Sequence, residues 1–236
     1  MPAMLKREFE LRIVVSLGIV AAVCAASALI SPHTPPTMAL IGSTAGWSRK
    51  DSLMAGFLLL AVVMVLASVV RMWAGTELTA PRVMAFRVQA DELHTAGPYR
   101  VVRNPIYLAD LTAICAISLG LPPPGLLMPV LFLLHYRRLI AYEEISLAPG
   151  FRDEFTAYAA ATPRLFPSFS SLRRIPEAFR EFRLTGEGVR HNGLYLLFIP
   201  GFIAAAWTGD FLVAAGIGLP SVADWAIVHT KLGRRQ

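Results

Sequence analysis

Charged residues are scarce in this chain of 236 residues. They make up 16% of it, whereas about 25% is usual for soluble domains. Hydrophobic residues reach 55% and the mean hydropathy is +0.55. Several apolar runs approach the roughly 20 residues that are needed to cross a bilayer. The composition therefore excludes an ordinary soluble enzyme and predicts an all-α integral membrane protein.

Cysteine pairs and the common cofactor motifs are also missing. Cys24 and Cys115 both lie in apolar runs and no CxxC pair is present, which excludes a disulfide framework. The chain has no GxGxxG, Walker or GxSxG motif, and its histidines lack metal-ligand spacing. The net charge of +6 is explained by basic loops beside a membrane. We therefore predict neither a metal site nor a nucleic-acid partner.

The apolar runs predict a polytopic transmembrane helical bundle with about five spans. The first four lie at residues 13–30, 53–74, 105–121 and 126–142. We expect the first to be an uncleaved helix rather than a signal peptide, because further spans follow it. A fifth run at 194–219 is interrupted by Pro200 and by Thr208 to Asp210. It is either one kinked span or a hairpin that adds a sixth span.

Arginine is concentrated in two regions, residues 75–104 and 145–192, while the turn at 121–125 carries no charge. The positive-inside rule then places both regions and the N-terminus in the cytoplasm. We predict an interfacial helix near 83–94. Apolar residues at helical spacing between interleaved arginines predict a second, amphipathic helix on the membrane surface over 172–183.

One stretch, Gly97 to Asp110, gathers polar side chains where a membrane helix is predicted to begin. It reads GPYRVVRNPIYLAD. Pro105 disfavours a helical Asn104 and suits the first turn of the helix that follows. Two arginines, an amide and two phenols thus meet at a helix entrance, namely Tyr99, Arg100, Arg103, Asn104 and Tyr107. Such a group suits a charged cofactor beside lipid.

A second polar group ends the fourth span. Glu143 and Glu144 close this helix, where carboxylates oppose the helix dipole. They are either interfacial charges neutralised by Arg137 and Arg138 or a cation-binding pair. The third and fourth spans form a hairpin through the turn at 121–125, so both polar groups lie at the same end. With Tyr136 they would form a nest for a zwitterionic ligand, in which arginine holds a carboxylate and glutamate an ammonium.

In order and spacing, these blocks resemble the isoprenylcysteine carboxyl methyltransferase and phospholipid methyltransferase family of membrane enzymes. The family pattern is Gly-x-Tyr-x-x-x-Arg-His-Pro-x-Tyr-x-Gly, then a helical hairpin, a Glu-Glu pair, Phe-Gly-x-Glu-Tyr-x-x-Tyr and Pro-Arg-x-x-Pro. The resemblance covers residues 97–167. The matching residues are Gly97, Tyr99, Arg103, Pro105, Tyr107, Glu143, Glu144, Phe151, Glu154, Tyr158, Pro163, Arg164 and Pro167. Asn104 replaces the usual His, as in phosphatidylethanolamine methyltransferases, while Ala109 and Arg152 replace glycines.

The resemblance implies S-adenosyl-L-methionine as methyl donor, bound at the cytoplasmic ends of the third and fourth spans. The methyl acceptor would be a lipid or lipid-modified molecule, with an isoprenylcysteine-like carboxylate or a phospholipid amine. The cofactor-binding residues would be Tyr99, Arg103, Asn104, Pro105, Tyr107, Glu143 and Glu144. Glu143, Glu144 and Arg138 would serve catalysis, and Arg71 and Arg100 would contact the acceptor.

Two alternatives remain open at this stage. Membrane sterol and steroid reductases carry a similar Arg-His-Pro-x-Tyr block and use NADPH, but this chain lacks their longer N-terminal half and has the glutamate pair. The departures at Asn104, Ala109 and Arg152 would also suit a non-catalytic scaffold with a degenerate pocket. We divide the chain into N-terminal helices and loop (1–96), a methyltransferase-like core (97–167), and a surface and membrane segment (168–236).

Overall fold

The computed structural model describes residues 2–78, 93–147 and 150–233, and within these ranges the regular structure is all helical. The helices are α1 (Pro2–Glu10), α2 (Arg12–Ile30), α3 (Thr37–Thr44), α4 (Arg49–Glu77), α5 (Pro105–Leu119), α6 (Leu127–Leu147), α7 (Arg152–Ala161), α8 (Phe169–Leu172), α9 (Ile175–Arg180), α10 (Gly186–Asn192), α11 (Phe198–Thr208) and α12 (Phe211–Gly233). Short 3-10 turns form Gly97–Arg100 and Pro123–Leu126. The predicted all-α class is confirmed.

Two of these helices, α2 and α4, are long and apolar enough to cross a membrane. Helices α5 and α11 and residues Phe211–Ile227 of α12 are shorter apolar helices. The predicted count of about five spans therefore stays a prediction. The predicted interfacial helix near 83–94 lies largely outside the described residues.

Helix α4 is the centre of one packing cluster. Ser48 caps its N-terminus by accepting a hydrogen bond from the Asp51 amide at 3.1 Å, a role for which serine is favoured. Its buried side chains, with Phe57 and Met64 fully enclosed, pack against α11. The stacked rings of Phe57 and Phe202 have centroids 6.1 Å apart. This cluster fixes α4 against the C-terminal part of the chain.

A second cluster joins the N-terminal helices to α5 and α6. Phe9 of α1 and Val23 of α2 pack with Leu111 of α5 and with Phe132 and Ile140 of α6. Because α5 also packs along α4, it separates the two clusters. The polar end of α5 therefore lies between them.

Helices α5 and α6 form the predicted hairpin. Pro105 occupies the first turn of α5, where its missing amide hydrogen costs nothing. Prolines and the 3-10 turn Pro123–Leu126 connect the two helices. At the other end, Tyr107 Oη donates to Glu143 Oε1 at 2.7 Å. The prediction that the two polar groups meet at the same end of the hairpin is confirmed.

The last apolar run is two helices and not one kinked helix. Helix α11 ends at Gly209, whose φ of +72° is the left-handed conformation typical of a helix C-cap. Helix α12 then packs back along α11. Gly201 faces the backbone of Ala214, and Phe198 faces Gly218, so the helices are antiparallel. The hairpin alternative therefore describes this run.

The predicted single amphipathic helix over 172–183 is wrong. One short helix, α8, already ends at Leu172, and a second, α9, covers only Ile175–Arg180, because Pro176 lies in the first turn of a new helix and cannot continue the preceding one. Exposed aromatic side chains remain in this segment, since Phe169 is 90% exposed and Phe179 is 56% exposed.

Candidate functional site

A cavity of about 450 Å³ lies between the two packing clusters. It is bounded by α1, α2, α4, α5, α6, α7 and the C-terminal hairpin, and most of its wall is apolar. Its polar lining comes from Arg12, Arg71, His94, Tyr99, Arg103, Asn104, Tyr107, Asp110, Tyr136, Glu143, Glu144, Tyr158 and Tyr195. These side chains form two groups, one at the ends of the α5–α6 hairpin and one against α4.

Arg103 and Glu144 form the frame of the first group. The Arg103 Nη2 donates to Glu144 Oε1 at 2.9 Å, and its Nε donates to the same oxygen at 3.2 Å. The Arg103 Nη1 donates to the carbonyls of Ala159 at 2.9 Å and Thr162 at 2.7 Å. Arg164 Nη2 completes the frame, 2.6 Å from Glu144 Oε2. Every nitrogen of this guanidinium and both oxygens of this carboxylate are therefore used within the protein.

Backbone contacts extend this frame to the segment that follows α7. The Arg103 amide donates to the Pro163 carbonyl at 2.9 Å. The Asn104 side-chain amide donates to the Arg164 carbonyl at 2.8 Å. Asn104 stands where the pattern in the sequence analysis has His, and its side chain makes a structural hydrogen bond of its own. It fastens the entrance of α5 to residues 162–164.

Glu143 has a different environment from its neighbour. Its Oε1 accepts from Tyr107, and no hydrogen bond from a described residue reaches its Oε2. The ring of Tyr107 lies next to the ring of Tyr136, with centroids 4.9 Å apart, and both residues line the cavity with Glu143. A carboxylate oxygen and two aromatic rings therefore face the cavity together, which is a favourable setting for a cation.

The turn at Gly97–Arg100 closes this end of the cavity. Gly97 has a φ of +54°, a conformation that glycine adopts readily. The Tyr158 hydroxyl donates to the Tyr99 carbonyl at 2.7 Å and ties α7 to the turn. On the outer side, the Glu181 carboxylate accepts from the Gly97 amide at 2.7 Å and from Arg100 Nη2 at 2.6 Å. The hydrogen bond from Arg100 lowers the pKa of Glu181 to about 2.

The second polar group is buried against α4. Arg71 Nη1 donates to Asp110 Oδ1, and the Tyr195 hydroxyl donates to the same oxygen at 3.0 Å. The Arg71 Cζ lies 5.9 Å from the Tyr195 ring and 5.8 Å from the Trp225 ring. The Arg71 side chain is only 3% exposed. This ion pair joins α4 to α5 and to the start of the C-terminal hairpin.

The structure brings most of the predicted site residues to one cavity. Those that line it are Arg71, Tyr99, Arg103, Asn104, Pro105, Tyr107, Glu143 and Glu144. Arg100 and Arg138 do not line it. Arg100 bonds Glu181, and Arg138 points away from the hairpin and donates to Glu8 of α1 at 2.6 Å. Neither side chain is placed to contact a molecule inside the cavity.

Sequence reasoning did not select Arg12, Asp110 or Tyr195, which also line the cavity. Asp110 carried a usable signal, because an ionisable residue inside an apolar run is a functional candidate by default. Tyr195 carried none, since a tyrosine at the start of an apolar run is most simply an interfacial anchor. Arg12 follows the charged N-terminal lead as the first residue of α2, and it becomes part of the site because α1 and α2 both pack against α6.

Comparison with known proteins identifies the segment that carries the first polar group. Residues 51–154 match the model of a family described as phospholipid methyltransferase. The cobalt-zinc-cadmium resistance protein CzcN of Cupriavidus metallidurans is 32% identical over 144 residues, covering 58% of this chain and 62% of that protein. The nickel-cobalt-cadmium resistance protein NccN of Alcaligenes xylosoxydans xylosoxydans is 29% identical, covering 58% and 63%. No solved structure matches the chain.

The matched residues include most of α4, the motif stretch, the α5–α6 hairpin and the glutamate pair. The alignments span less than two thirds of the length of the curated relatives. The apolar helices α2 and α4 agree with the membrane location of the family. Residues 51–154 of the chain are therefore similar to the phospholipid methyltransferase family of membrane methyltransferases.

Proposed function

We propose that this protein is a multi-pass membrane methyltransferase that uses S-adenosyl-L-methionine and methylates a lipid or lipid-modified acceptor. The observation that carries the proposal is the pairing of Tyr107 with Glu143 beside the Arg103–Glu144 frame, on the wall of a cavity in the family segment. The family match supports the reaction class. The largely apolar wall of the cavity supports an amphiphilic acceptor.

The residues of the first polar group fit this cofactor. The cofactor carries a sulfonium and an ammonium, and the Oε2 of Glu143 faces the cavity with no hydrogen bond from a described residue. The ring of Tyr107, with that of Tyr136 next to it, offers a cation an aromatic face in the same cavity. Tyr99, Asn104 and Pro105 complete the wall at the same end. We assign cofactor binding to these residues.

Arg103 and Glu144 have a positioning role in this proposal. Because Arg103 is bonded to Glu144 and to two carbonyls, it holds the entrance of α5 against the segment after α7. Glu144 in turn fixes the last turns of α6 and hence the position of Glu143. Both residues act on the cofactor site through the side chains that they hold in place.

When bound, the cofactor would supply an electrophilic methyl group, whose carbon an acceptor attacks in line with the carbon–sulfur bond, so that this bond breaks and the neutral thioether leaves. The protein's task is to align the acceptor and to exclude water. The apolar walls of the cavity serve this task, and no proton transfer is needed for it. For an amine acceptor, Glu143 is the residue placed to take a proton. Arg138 has no part in this scheme because it bonds Glu8 on the outer side of α6.

We place the cofactor site on the cytoplasmic side. The motif stretch and the segment after α7 contact each other through Arg103 and Thr162, and through Arg100 and Glu181. Both belong to the arginine-rich regions that the positive-inside rule assigns to the cytoplasm. The names of the two relatives refer to metal resistance and state no reaction, so the proposal rests on the family match and the cavity.

The proposal is tested by calorimetric titration of the purified full chain with S-adenosylhomocysteine, with NADPH as the control ligand. We expect saturable binding of S-adenosylhomocysteine and none of NADPH. Binding of NADPH instead would favour a reductase. Binding of neither ligand by folded protein would leave a scaffold with a degenerate pocket.

A further inference from the structure

Large apolar side chains stay uncovered outside the cavity, on the segment that runs through α8 and α9. They are Phe166, Phe169, Leu172, Phe179 and Phe182, and that of Phe169 is 90% exposed. Together with the exposed Arg173 and Arg180, they form what we call the α8–α9 surface. None of these seven residues lines the cavity. Exposed apolar groups gathered in so short a segment mark an interaction site.

The α8–α9 surface is held in a fixed position by two neighbouring elements. The ring centroids of Phe179 and Phe182 each lie 5.2 Å from a ring centroid of Trp73, near the end of α4. Glu181, which lies between them in the sequence, accepts two hydrogen bonds from the turn Gly97–Arg100. The surface is therefore fastened to α4 and to the turn that closes the cavity.

The contact with Trp73 also sets the level of the surface relative to a bilayer. Helix α4 is long and apolar enough to cross a membrane, and Trp73 lies about one turn before its end at Glu77. A segment that packs on Trp73 is therefore expected where this helix leaves the hydrocarbon. At that depth, aromatic side chains reach the acyl chains while arginines reach the head groups.

The charges of the α8–α9 surface select the sign of the head group. No described residue forms a hydrogen bond or an ion pair with the side chain of Arg173 or Arg180. Arg174 donates only to a neutral threonine hydroxyl among the described residues, at 3.3 Å. The acids of the segment are the exposed Glu177 and Glu181, and Glu181 is already paired with the turn. Three arginines against one remaining glutamate leave the surface cationic.

We propose that the α8–α9 surface binds anionic phospholipids of the surrounding leaflet. The side chains of Phe169 and Leu172 enter the lipid, and Arg173 and Arg180 bind the phosphates of anionic head groups. These lipids lie outside the cavity and are not the methyl acceptor. The inference requires α4 to cross the membrane, but it does not depend on the proposed methyltransferase activity.

The test measures which lipids gather at this surface. Ser170→Cys, at an exposed position beside Phe169, carries a bimane dye in the full chain whose own two cysteines are replaced by serine. Phosphatidylcholine nanodiscs contain the same small fraction of either phosphatidylglycerol or phosphatidylcholine, with a nitroxide at the same acyl position. We expect quenching by the labelled phosphatidylglycerol to indicate about fivefold enrichment, the effect of one arginine near an anionic head group. High salt should reduce this preference.

Two double variants with equal losses of charge are compared in the same assay. Arg173→Gln with Arg180→Gln removes the two unpaired arginines and should abolish the preference for phosphatidylglycerol. Arg49→Gln with Lys50→Gln removes two exposed cations at the other end of α4 and should leave the preference unchanged. Because all four side chains are exposed, we expect both variants to fold, and their melting temperatures check this.

Equal quenching by the two labelled lipids would overturn the proposal, as would a preference that the first double variant retains. Absence of quenching by either lipid would also overturn it, because the surface would then face water or a protein partner. The comparison of the two lipids on the chain with its native arginines decides the matter even where a double variant does not fold. Failure of S-adenosylhomocysteine to bind would overturn the proposed function alone, since the assay contains no cofactor.

Discussion

At the scale of single residues, the adjacent carboxylates Glu143 and Glu144 have separable roles. Glu144 accepts from Arg103 and Arg164 and is 19% exposed. Among the residues that the structure describes, only Tyr107 donates a hydrogen bond to Glu143. The first is therefore expected to act mainly on stability and the second mainly on ligand binding.

Glu144→Gln should lower the free energy of unfolding by about 1–3 kcal/mol, because it weakens charge-assisted hydrogen bonds to two arginines. Glu143→Gln should leave the melting temperature nearly unchanged, since a glutamine oxygen can still accept from Tyr107. It should weaken binding of S-adenosylhomocysteine at least about tenfold, the effect of losing one charged partner. Thermal melting and calorimetry on both variants check this. Equal losses of stability would contradict the division of roles.

The sequence predicted the contacts around Glu143 but not the partners of Arg103. Helical spacing put Tyr136 and Glu143 on one face of α6, and the hairpin brought them to Tyr107, as the ring and hydrogen-bond contacts confirm. The partners of Arg103 were not predictable, because two of them are backbone carbonyls of residues 159 and 162. A carbonyl has no sequence signature, and its position depends on the path of the chain after α7.

At the scale of elements, the turn at Gly97–Arg100 depends on a backbone conformation and on a close contact. A Cβ at Gly97 would lie 3.0 Å from Trp73 Nε1 and 3.3 Å from Glu77 Cγ. Its φ of +54° also costs a residue with a side chain about 1–2 kcal/mol. The turn therefore packs closely against the end of α4 and also closes one end of the cavity.

Gly97→Ala should therefore destabilise the protein by more than Gly46→Ala. Gly46 has a φ of +79° but would meet nothing within 4 Å, so its substitution measures the backbone cost alone. The excess loss at Gly97 measures the contact with Trp73 and Glu77. Chemical unfolding of both variants gives the two values, and a smaller loss at Gly97 would show that α4 yields to the added methyl group.

The hydrogen bonds from Gly97 and Arg100 to Glu181 should weaken in acid. The pKa of Glu181 is lowered from 4.5 to about 2, so its contribution to stability is complete above pH 4.5 and is lost as the pH falls through about 2. Because both partners are more than a third exposed, that contribution is small, about 0–1 kcal/mol. The melting temperatures of the unmodified chain and Glu181→Gln should differ near pH 6 and converge near pH 2. A difference that grows in acid would be contrary to this account.

The C-terminal hairpin gives a further prediction at this scale, because two of its glycines differ only in their surroundings. A Cβ at Gly201 would lie 2.8 Å from the Ala214 carbonyl, whereas one at Gly216 would meet nothing within 4 Å. Gly201→Ala should cost about 1–3 kcal/mol by forcing the helices apart. Gly216→Ala should be neutral or stabilising by up to about 1 kcal/mol. Similar changes for the two variants would mean that the helices separate without cost.

The alternation of hydrophobic and polar segments predicted the helices but left this hairpin undecided. Glycine and Asp210 within the run were compatible with a kink and with a reversal. The reversal is set by the left-handed Gly209 and by the small residues that let α11 and α12 approach closely. Those contacts join residues more than ten positions apart, which local pattern does not reveal.

At the scale of the whole molecule, the contacts of Arg100 and Arg103 bring the two arginine-rich regions to one side of the helices. The turn Pro123–Leu126 lies at the opposite end of the α5–α6 hairpin. From the positive-inside rule we expect the first side to face the cytoplasm and the second to face the other side of the membrane.

Single cysteines at the exposed positions Ser170 and Pro123 check this arrangement in a chain whose own two cysteines are replaced by serine. A maleimide that cannot cross the membrane should label Pro123→Cys in intact cells. It should label Ser170→Cys only in inverted vesicles. Labelling of both from the same side would show that the hairpin does not cross the bilayer.

Arg103 links the stability of the segment at the end of α7 to the binding of a ligand in the cavity. Its bonds to residues 159 and 162, with those of Asn104 and Tyr158, fasten the end of α7 to the wall of the cavity. A ligand that stabilises this wall must also slow the local opening of that segment, since the two equilibria share the same bonds. Amide hydrogens of residues 158–162 and 164 should then exchange more slowly as ligand is added, which makes this segment an internal reporter of binding.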